Sequence, residues 1–487
     1  MNIPEMWNWI KRRVRSMLPR ASVERELGVR IAESELMKNG IELWLSMYKD
    51  EPLWKGGEKD VKTLNLPAAI SAEFARLILT EFHMESSGSA MATFVDEQMK
   101  RALMEKFRHV AIYCALGGIV AKAYPSAPDE TGAPTSVAVE WVQADKFYPI
   151  SFDSNGTVTS AVFVQYKTVG EDIYTRLEIH ELSGTKYKVT NKAYVARNPS
   201  ISGLDRIELD TLLQREIPLT DVEEWAAILP EVEMQNMKAP LFTYIKVPMP
   251  NTVDVESPLG VSVYSLADEQ IQAADEQYGR VLWEYVATEA AVDADETLFE
   301  EDRTGRPILP AGSERLFRLY HSRMHEAKTM FEPYLPQIRD QSQFNGLNEH
   351  LYKIEWLCGL AYGTLSHAQE IEKTATEIKM SKQRSFNTVS LMQDEWNNGL
   401  QQLSMAIQEI AVLYNICPAG NVETTITFGD GVLEDTDVEY QRRWSMVMAN
   451  KLKPELFLAW YFGCSEEEAK EMMPAPLPDA DSLFPKE

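Results

Sequence analysis

Cysteine is scarce in this chain. Four cysteines are scattered over 487 residues, at positions 114, 358, 417 and 464, and no two have C-x-x-C spacing. Zinc-ribbon and thioredoxin-like motifs are therefore absent, and the pattern points to a reducing compartment with buried free thiols. Long apolar runs are missing too. The longest, Val110–Ala121, contains two glycines and falls well short of the roughly twenty residues a membrane span needs. The basic stretch Lys11, Arg12, Arg13 and Arg15 is followed by no apolar core, so no secretory signal is expected and the chain reads as intracellular at synthesis.

Positive charge is the third deficit. There are 48 Lys and Arg against 74 Asp and Glu, a formal net charge of −26. Proteins that grip nucleic acid need a basic surface to displace phosphate counterions, so a repressor-like or histone-like binder is excluded. Catalytic signatures are lacking as well. The sequence has no G-x-x-x-x-G-K-[ST], H-E-x-x-H or G-x-S-x-G. His321 and His325 share an i, i+4 spacing but have no third ligand. Asp293-x-Asp295-x-Thr297 starts like a calcium loop, but it places Leu298 where glycine is required and Thr304 at the last ligand position. Asp435-x-Asp437-x-Glu439 fails in the same way, at Tyr440. Neither a metal nor a cofactor is expected.

Hydrophobic residues make up 45% of the chain and charged residues 25%, which suits large folded cores, and the length suggests about three domains. The fold class expected is mixed α+β. Trp7, Ile10, Val14 and Met17 mark a short basic amphipathic helix. It is either an anchor on anionic membrane or nucleic acid or an arm that packs on a partner subunit. Gly28 to Thr80 reads as mainly helical, with a turn at Lys55-Gly56-Gly57 and an apolar stripe at Leu66, Ile70, Phe74, Leu77 and Ile78. From Val137 to Lys246 the period is two. Strands are expected at Val137–Trp141, Val158–Tyr166, Thr175–Leu182 and Tyr187–Thr190, with a hairpin turn at Asp153-Ser154-Asn155-Gly156.

A Pro- and Gly-containing linker, Met249–Gly260, precedes a change in character. Ser265 with Asp268 resembles a capping box, opening a helix of about 24 residues with Ile271, Ala274, Tyr278, Val281 and Tyr285 on one face. Arg306–Leu309 and Arg315–Tyr320 read as short strands around Pro310-Ala311-Gly312-Ser313. A further helix is expected from Leu347 to Tyr362, with Leu347, Leu351, Ile354, Cys358 and Ala361 on one face. The longest helix, of about 44 residues, starts near Glu372. Its stripe is Val389, Met392, Trp396, Leu400, Leu403, Ile407, Ile410 and Tyr414, and Gly399 is its expected kink. An alternating strand, Asn421–Phe428, two short helices (Tyr440–Asn450 and Pro454–Phe462) and a Pro-rich tail after Met473 complete the chain. Lys373, Lys379, Lys382 and Arg384 give the start of the long helix a local positive balance. They are either a solvated face with i, i+4 charge pairs or contacts to phosphate.

Six phrases in order carry a family resemblance. They are Asn65-Leu66-Pro67 with Leu79-Thr80-Glu81; Ala115-Leu116-Gly117-Gly118 with Lys122-Ala123-Tyr124; Ala144-Asp145-Lys146-Phe147-Tyr148-Pro149; Tyr174-Thr175-Arg176-Leu177-Glu178-Ile179-His180; Ser257-Pro258-Leu259-Gly260-Val261-Ser262; and Glu372-Lys373-Thr374-Ala375-Thr376-Glu377. Over about residues 60–460 the chain resembles the portal, or head–tail connector, proteins of tailed bacteriophages, and is most similar to the portal and minor capsid group from siphophages of Gram-positive hosts. That resemblance implies a homo-oligomeric ring of about twelve subunits at one capsid vertex of the virion, assembled in the host cytoplasm. It implies an N-terminal arm and α+β wing over 1–264, a stem helix over 265–290, a clip over 291–336 and a second stem helix over 337–362. A tunnel loop over 363–371, a long helix and wing strand over 372–439 and a crown and tail over 440–487 follow. Gly363, Thr364, Leu365, Ser366, His367 and Gln369 of the tunnel loop then face double-stranded DNA, and Lys373, Lys379, Lys382 and Arg384 are possible phosphate contacts. The other partners implied are the terminase large subunit, a head-completion or adaptor protein, and the major capsid and scaffold proteins. A portal is no enzyme, since the packaging ATPase is a separate protein. The remaining readings are another oligomeric capsid or tail structural protein, or an enzyme with an unrecognised site.

Overall fold

The computed structural model describes residues 18–55, 61–126, 134–170, 172–197, 213–237, 239–301, 306–309, 316–320, 331–335, 337, 339–367, 375–429, 436–449, 451–462, 469–470 and 472–473. The basic N-terminal segment 1–17, His321, His325 and the tail after Met473 lie outside them. The chain divides into two compact units, Met1–Asp430 and Gly431–Glu487. The fold is mixed α+β, as the change of period implied.

In the first unit, helices α1 (Arg20–Leu27), α2 (Glu35–Tyr48) and α3 (Leu66–Ile78) lead the chain. The Ser34 hydroxyl accepts from the Met37 amide and caps α2. Pro67 in the first turn of α3 suits a position whose amide has no helical partner. Leu66, Ile70, Phe74 and Ile78 are buried along the expected stripe, with Leu77 half-buried at its margin. Strand β1 (His83–Ser87), α4 (Ala90–Ala102) and α5 (Lys106–Leu116), buried from Val110 onward, follow.

Two antiparallel sheets form the body. One has β2 (Gly118–Pro125) at its centre, between β3 (Val137–Gln143) and β10 (Phe242–Lys246). The other is a meander of β4 (Phe147–Phe152), β5 (Val158–Val169), β6 (Asp172–Ser183), β7 (Lys186–Arg197) and β8 (Arg215–Ile217), with β9 (Glu231–Met234) also on β7. The β4–β5 turn is built as its sequence implied. The Asp153 carboxylate accepts from the Asn155 and Thr157 amides, and Gly156 supplies a φ of +78°. The strands run beyond the expected ends because backbone pairing continues through polar residues, such as Lys167 opposite Tyr174.

Helix α6 (Asp268–Ala287) and helix α7 (Asp340–Cys358) pair antiparallel: Glu284 meets Arg339, Gln277 meets Gln343 and Gln270 meets His350. Between them in sequence lies a small sheet, with β11 (Ala291–Asp295) parallel to β12 (Phe317–Tyr320) and antiparallel to β13 (Phe331–Tyr334). Helix α8 (Ala375–Leu413, 39 residues) then packs along β10 and β2, and β14 (Glu423–Thr427) pairs with β1. Val389, Met392, Trp396, Leu400, Leu403, Ile407 and Ile410 are buried as their spacing required, whereas Tyr414 is exposed beyond the helix end. The chain stays helical through Gly399. A β-carbon there would sit 2.4 Å from Ile245, so the glycine serves close packing against β10.

Several expectations are corrected. Ser265 does not cap α6: the chain makes a tight turn at Ser262–Ala267, and the helix starts at Asp268. It therefore has 20 residues. Its buried face is Ile271, Ala274, Asp275, Gln277, Val281 and Glu284, while Tyr285 is exposed. Asp275 is buried because it accepts from Trp54 Nε1 and the Leu64 amide, both at 2.8 Å. The helix expected at Leu347–Tyr362 starts seven residues earlier and stops at Cys358, where Gly359 turns left-handed at φ +78°. Only an isolated bridge, Glu301 to Pro307, stands where Arg306–Leu309 was expected to be a strand.

The second unit has helices α9 (Thr436–Met448) and α10 (Pro454–Phe462), close to the expected pair. Tyr440 meets Phe457 and Tyr461 edge-on, and the Arg443 guanidinium lies 4.4 Å from the centre of the Trp460 ring.

Candidate functional site: the turn joining two helices

The turn after α7 is built around one carboxylate. Glu355 is fully buried on the inner face of α7, in step with Leu351 and Cys358. Oε1 accepts from the Leu365 amide at 2.5 Å and the Ser366 amide at 2.8 Å. Oε2 accepts from the Gly363 amide at 3.2 Å and the Ser366 hydroxyl at 2.8 Å. Converging backbone amides of this kind form an anion-binding nest, and here the protein's own side chain fills it. Charge-assisted bonds are about twice as strong as neutral ones, so four of them set the shape of Gly363–Ser366.

Neighbouring contacts extend that shape. The Leu360 amide bonds the Glu355 carbonyl at 2.9 Å and closes the end of α7. Thr364 Oγ1 donates to the Ala361 carbonyl at 2.6 Å, and the His367 amide donates to Asn348 Oδ1 at 2.7 Å. Tyr352 and Tyr362 stack with centroids 4.4 Å apart. Gly363, Thr364 and His367 are exposed, Leu365 is half-buried and Ser366 is buried. Gln369 and Lys373 lie outside the described residues, as do the side chains of Lys379 and Lys382. Arg384 is exposed and reaches back to α7. Its Nη2 donates to the Trp356 carbonyl at 2.6 Å, and its guanidinium lies 4.8 Å from the centre of the indole. Of the expected site residues, the structure thus gathers Gly363–His367 and Arg384 at one end of α7.

Sequence reasoning missed Glu355 and Trp356. The available signal was an acid at an inward position of an apolar stripe, since such a carboxylate requires donors. An open groove of about 250 Å³ lies beside them, lined by Gln270, Tyr352, Lys353, Trp356 and Leu357.

A second polar cluster lies between the two large sheets. Lys122 Nζ donates to Glu178 Oε2 at 2.7 Å, and Arg176 Nη2 reaches the same oxygen at 3.1 Å. His180 Nε2 is 2.7 Å from Glu178 Oε1, and its Nδ1 is 2.7 Å from the Tyr187 hydroxyl. That hydroxyl accepts from the Leu241 amide, so its own proton points to Nδ1 and the imidazole proton sits on Nε2. Burial pushes the Glu178 carboxyl up, but Lys122, His180 and Arg176 outweigh it and hold it well below the usual carboxylate range. Burial also lowers His180, against the support of Glu178. The chain of groups is that of a catalytic relay, yet Lys122, Arg176, Glu178, His180 and Tyr187 are all buried, while Glu140, whose Oε2 lies 2.9 Å from Lys122 Nζ, is half-buried; the cluster joins the two sheets.

Among the described residues, no group of three or more His, Cys, Asp or Glu is placed to hold a metal. No helix among them is long and apolar enough to cross a membrane. Cys114 and Cys358 are buried free thiols and Cys417 is half-buried. No protein-family model matches the chain, and no curated protein matches it in sequence.

Proposed function

We propose that this chain is a portal subunit: a structural part of a phage head–tail connector through which double-stranded DNA enters and leaves the capsid. One observation carries the reading. The antiparallel pair α6–α7 holds a small β-sheet in its connection, turns sharply at Gly359–His367 and feeds a 39-residue helix that runs back along β10 and β2. In this reading α6 and α7 are the stem, the small sheet belongs to the clip, residues 363–371 form the loop facing DNA, and residues 440–487 are the crown and tail.

Two further features favour it. The α6–α7 pair exposes large apolar side chains, with Trp283 at 66%, Val286 at 61% and Trp356 at 51%. Exposed apolar surface of this kind marks an interface, which neighbouring subunits of a ring cover. The net charge of −26 per chain suits a conduit, because a wall that binds few phosphates lets duplex DNA slide. Lys373, Lys379, Lys382 and Arg384 are its candidate weak phosphate contacts. The clip docks the terminase large subunit and later the head-completion or adaptor protein, the outer surface meets capsid and scaffold proteins, and the chain itself catalyses nothing.

Shortening residues 364–370 tests the reading. Rings still assemble and the yield of packaged DNA falls. Unchanged packaging places the loop away from the DNA path.

A further inference from the structure

The buried carboxylate at the end of α7 has no counterpart in the sequence reading. Glu355 lies in the last turn of α7, where the helix meets the turn that follows it. Its two oxygens take three backbone amides and one hydroxyl from Gly363–Ser366. The contacts on either side do not depend on it. Leu360 is held by a backbone carbonyl, and Arg384 ties α8 to Trp356 through another carbonyl and the indole face. The carboxylate thus controls one short stretch, Gly363–Ser366, which exposes Gly363 and Thr364 and leads directly into the exposed His367.

We propose that Glu355 is a positioning residue. Its carboxylate fixes the shape in which residues 363–367 are presented to DNA, so that the loops of a ring meet the duplex at one common radius. This rests on the portal reading for the identity of what the loop meets. The anchoring itself follows from the four bonds alone. Without the carboxylate the amides of Gly363, Leu365 and Ser366 lose a charged acceptor, and the loop samples several shapes.

The test uses the full chain, wild type beside Glu355→Gln and Ser366→Ala. Hydrogen exchange at single-residue resolution reads the anchor. Loss of a hydrogen bond to a charged group raises exchange by roughly tenfold or more. In Glu355→Gln this is expected at Gly363, Leu365 and Ser366, while Leu360 keeps its wild-type rate. General unfolding exposes Leu360 as well. Ser366→Ala keeps the carboxylate and loses one donor, so it gives a smaller rise over the same residues with no fold defect. Particles assembled from each variant then report retained DNA, expected to fall in the order wild type, Ser366→Ala, Glu355→Gln, with ring assembly unchanged. Exchange at wild-type rates in both variants overturns the anchor. Faster exchange with wild-type DNA retention overturns the positioning role and leaves the portal reading standing. A wild-type chain that forms no ring overturns the portal reading, and the DNA-facing half of this proposal with it.

Discussion

Gly117 and Gly260 cross so closely that neither has room for a side chain. A β-carbon on Gly117 would lie 2.6 Å from the Gly260 carbonyl oxygen, and one on Gly260 would lie 2.1 Å from the Gly117 oxygen. Gly117 also needs a φ of +81° to end α5 and start β2, and its carbonyl accepts from the Val247 amide at 2.9 Å. The crossing pins the segment before α6 to the central sheet, so the α6–α7 pair starts from a fixed base.

Gly260→Ala is therefore expected to prevent folding or to cost several kcal/mol, since the obstacle is backbone that cannot move aside. Gly279→Ala, in the open middle of α6 with nothing within 4 Å of its β-carbon, is expected to stabilise by about 0.5–1 kcal/mol. Paired thermal melts check both. Equal behaviour of the two variants would contradict the crossing.

Leu400 and Leu403 are fully buried on the inner face of α8. An aspartate at either position buries an unpaired charge, at a cost of several kcal/mol. Soluble expression of Leu400→Asp or Leu403→Asp is expected to be lost. Recovery of either variant with a wild-type melting temperature would place the stripe on the surface.

Glu33 gives a pH dependence. Its carboxyl is buried, Oε1 has no partner among the described residues, and burial pushes its pKa from 4.5 to about 8 against the pull of Lys38 and Arg20. The protonated form is the one the fold accommodates. Stability from this group is thus complete below about pH 4.5 and declines as pH rises towards 8, by about 1.4 kcal/mol per unit and about 5 kcal/mol in all. Glu33→Gln removes that slope. Melts from pH 5 to 8 are expected to show the variant gaining steadily over wild type, and parallel curves would show that Glu33 ionises freely.

His180 acts at lower pH. Its folded pKa lies below its usual value of 6.5, because burial disfavours the imidazolium. The unfolded chain then takes up a proton that the folded chain refuses, so stability falls as pH drops below 6.5. His180→Gln is expected to flatten the acid side of the stability curve, and an unchanged acid slope assigns that slope to other groups.

The elements most legible in the sequence were those whose burial is one-sided. The α8 stripe and the α3 stripe each face one core, so their spacing carries through. The β4–β5 turn was legible because Asp153 and Gly156 have local reasons to be there. The start of α7 was not, since Asp340 to Asn345 is polar apart from Phe344 and largely exposed, and periodicity begins only where the helix meets the core at Leu347. Its end was masked by Ala361, which continues the apolar spacing past the left-handed Gly359. That glycine is required because a β-carbon would lie 2.8 Å from Thr388 Oγ1, on a helix distant in sequence. The parallel pairing of β11 with β12 leaves no local signal in two short strands more than twenty residues apart. At the candidate site the exposed turn was legible as a polar break between helices. The carboxylate that shapes it was not, because its donors lie eight to eleven residues further on.

Electron-microscope imaging of the purified full chain decides whether it assembles into a ring around DNA, as we propose. Rings with a central hole and roughly twelvefold symmetry are expected; a stable monomer at every concentration would contradict the claim.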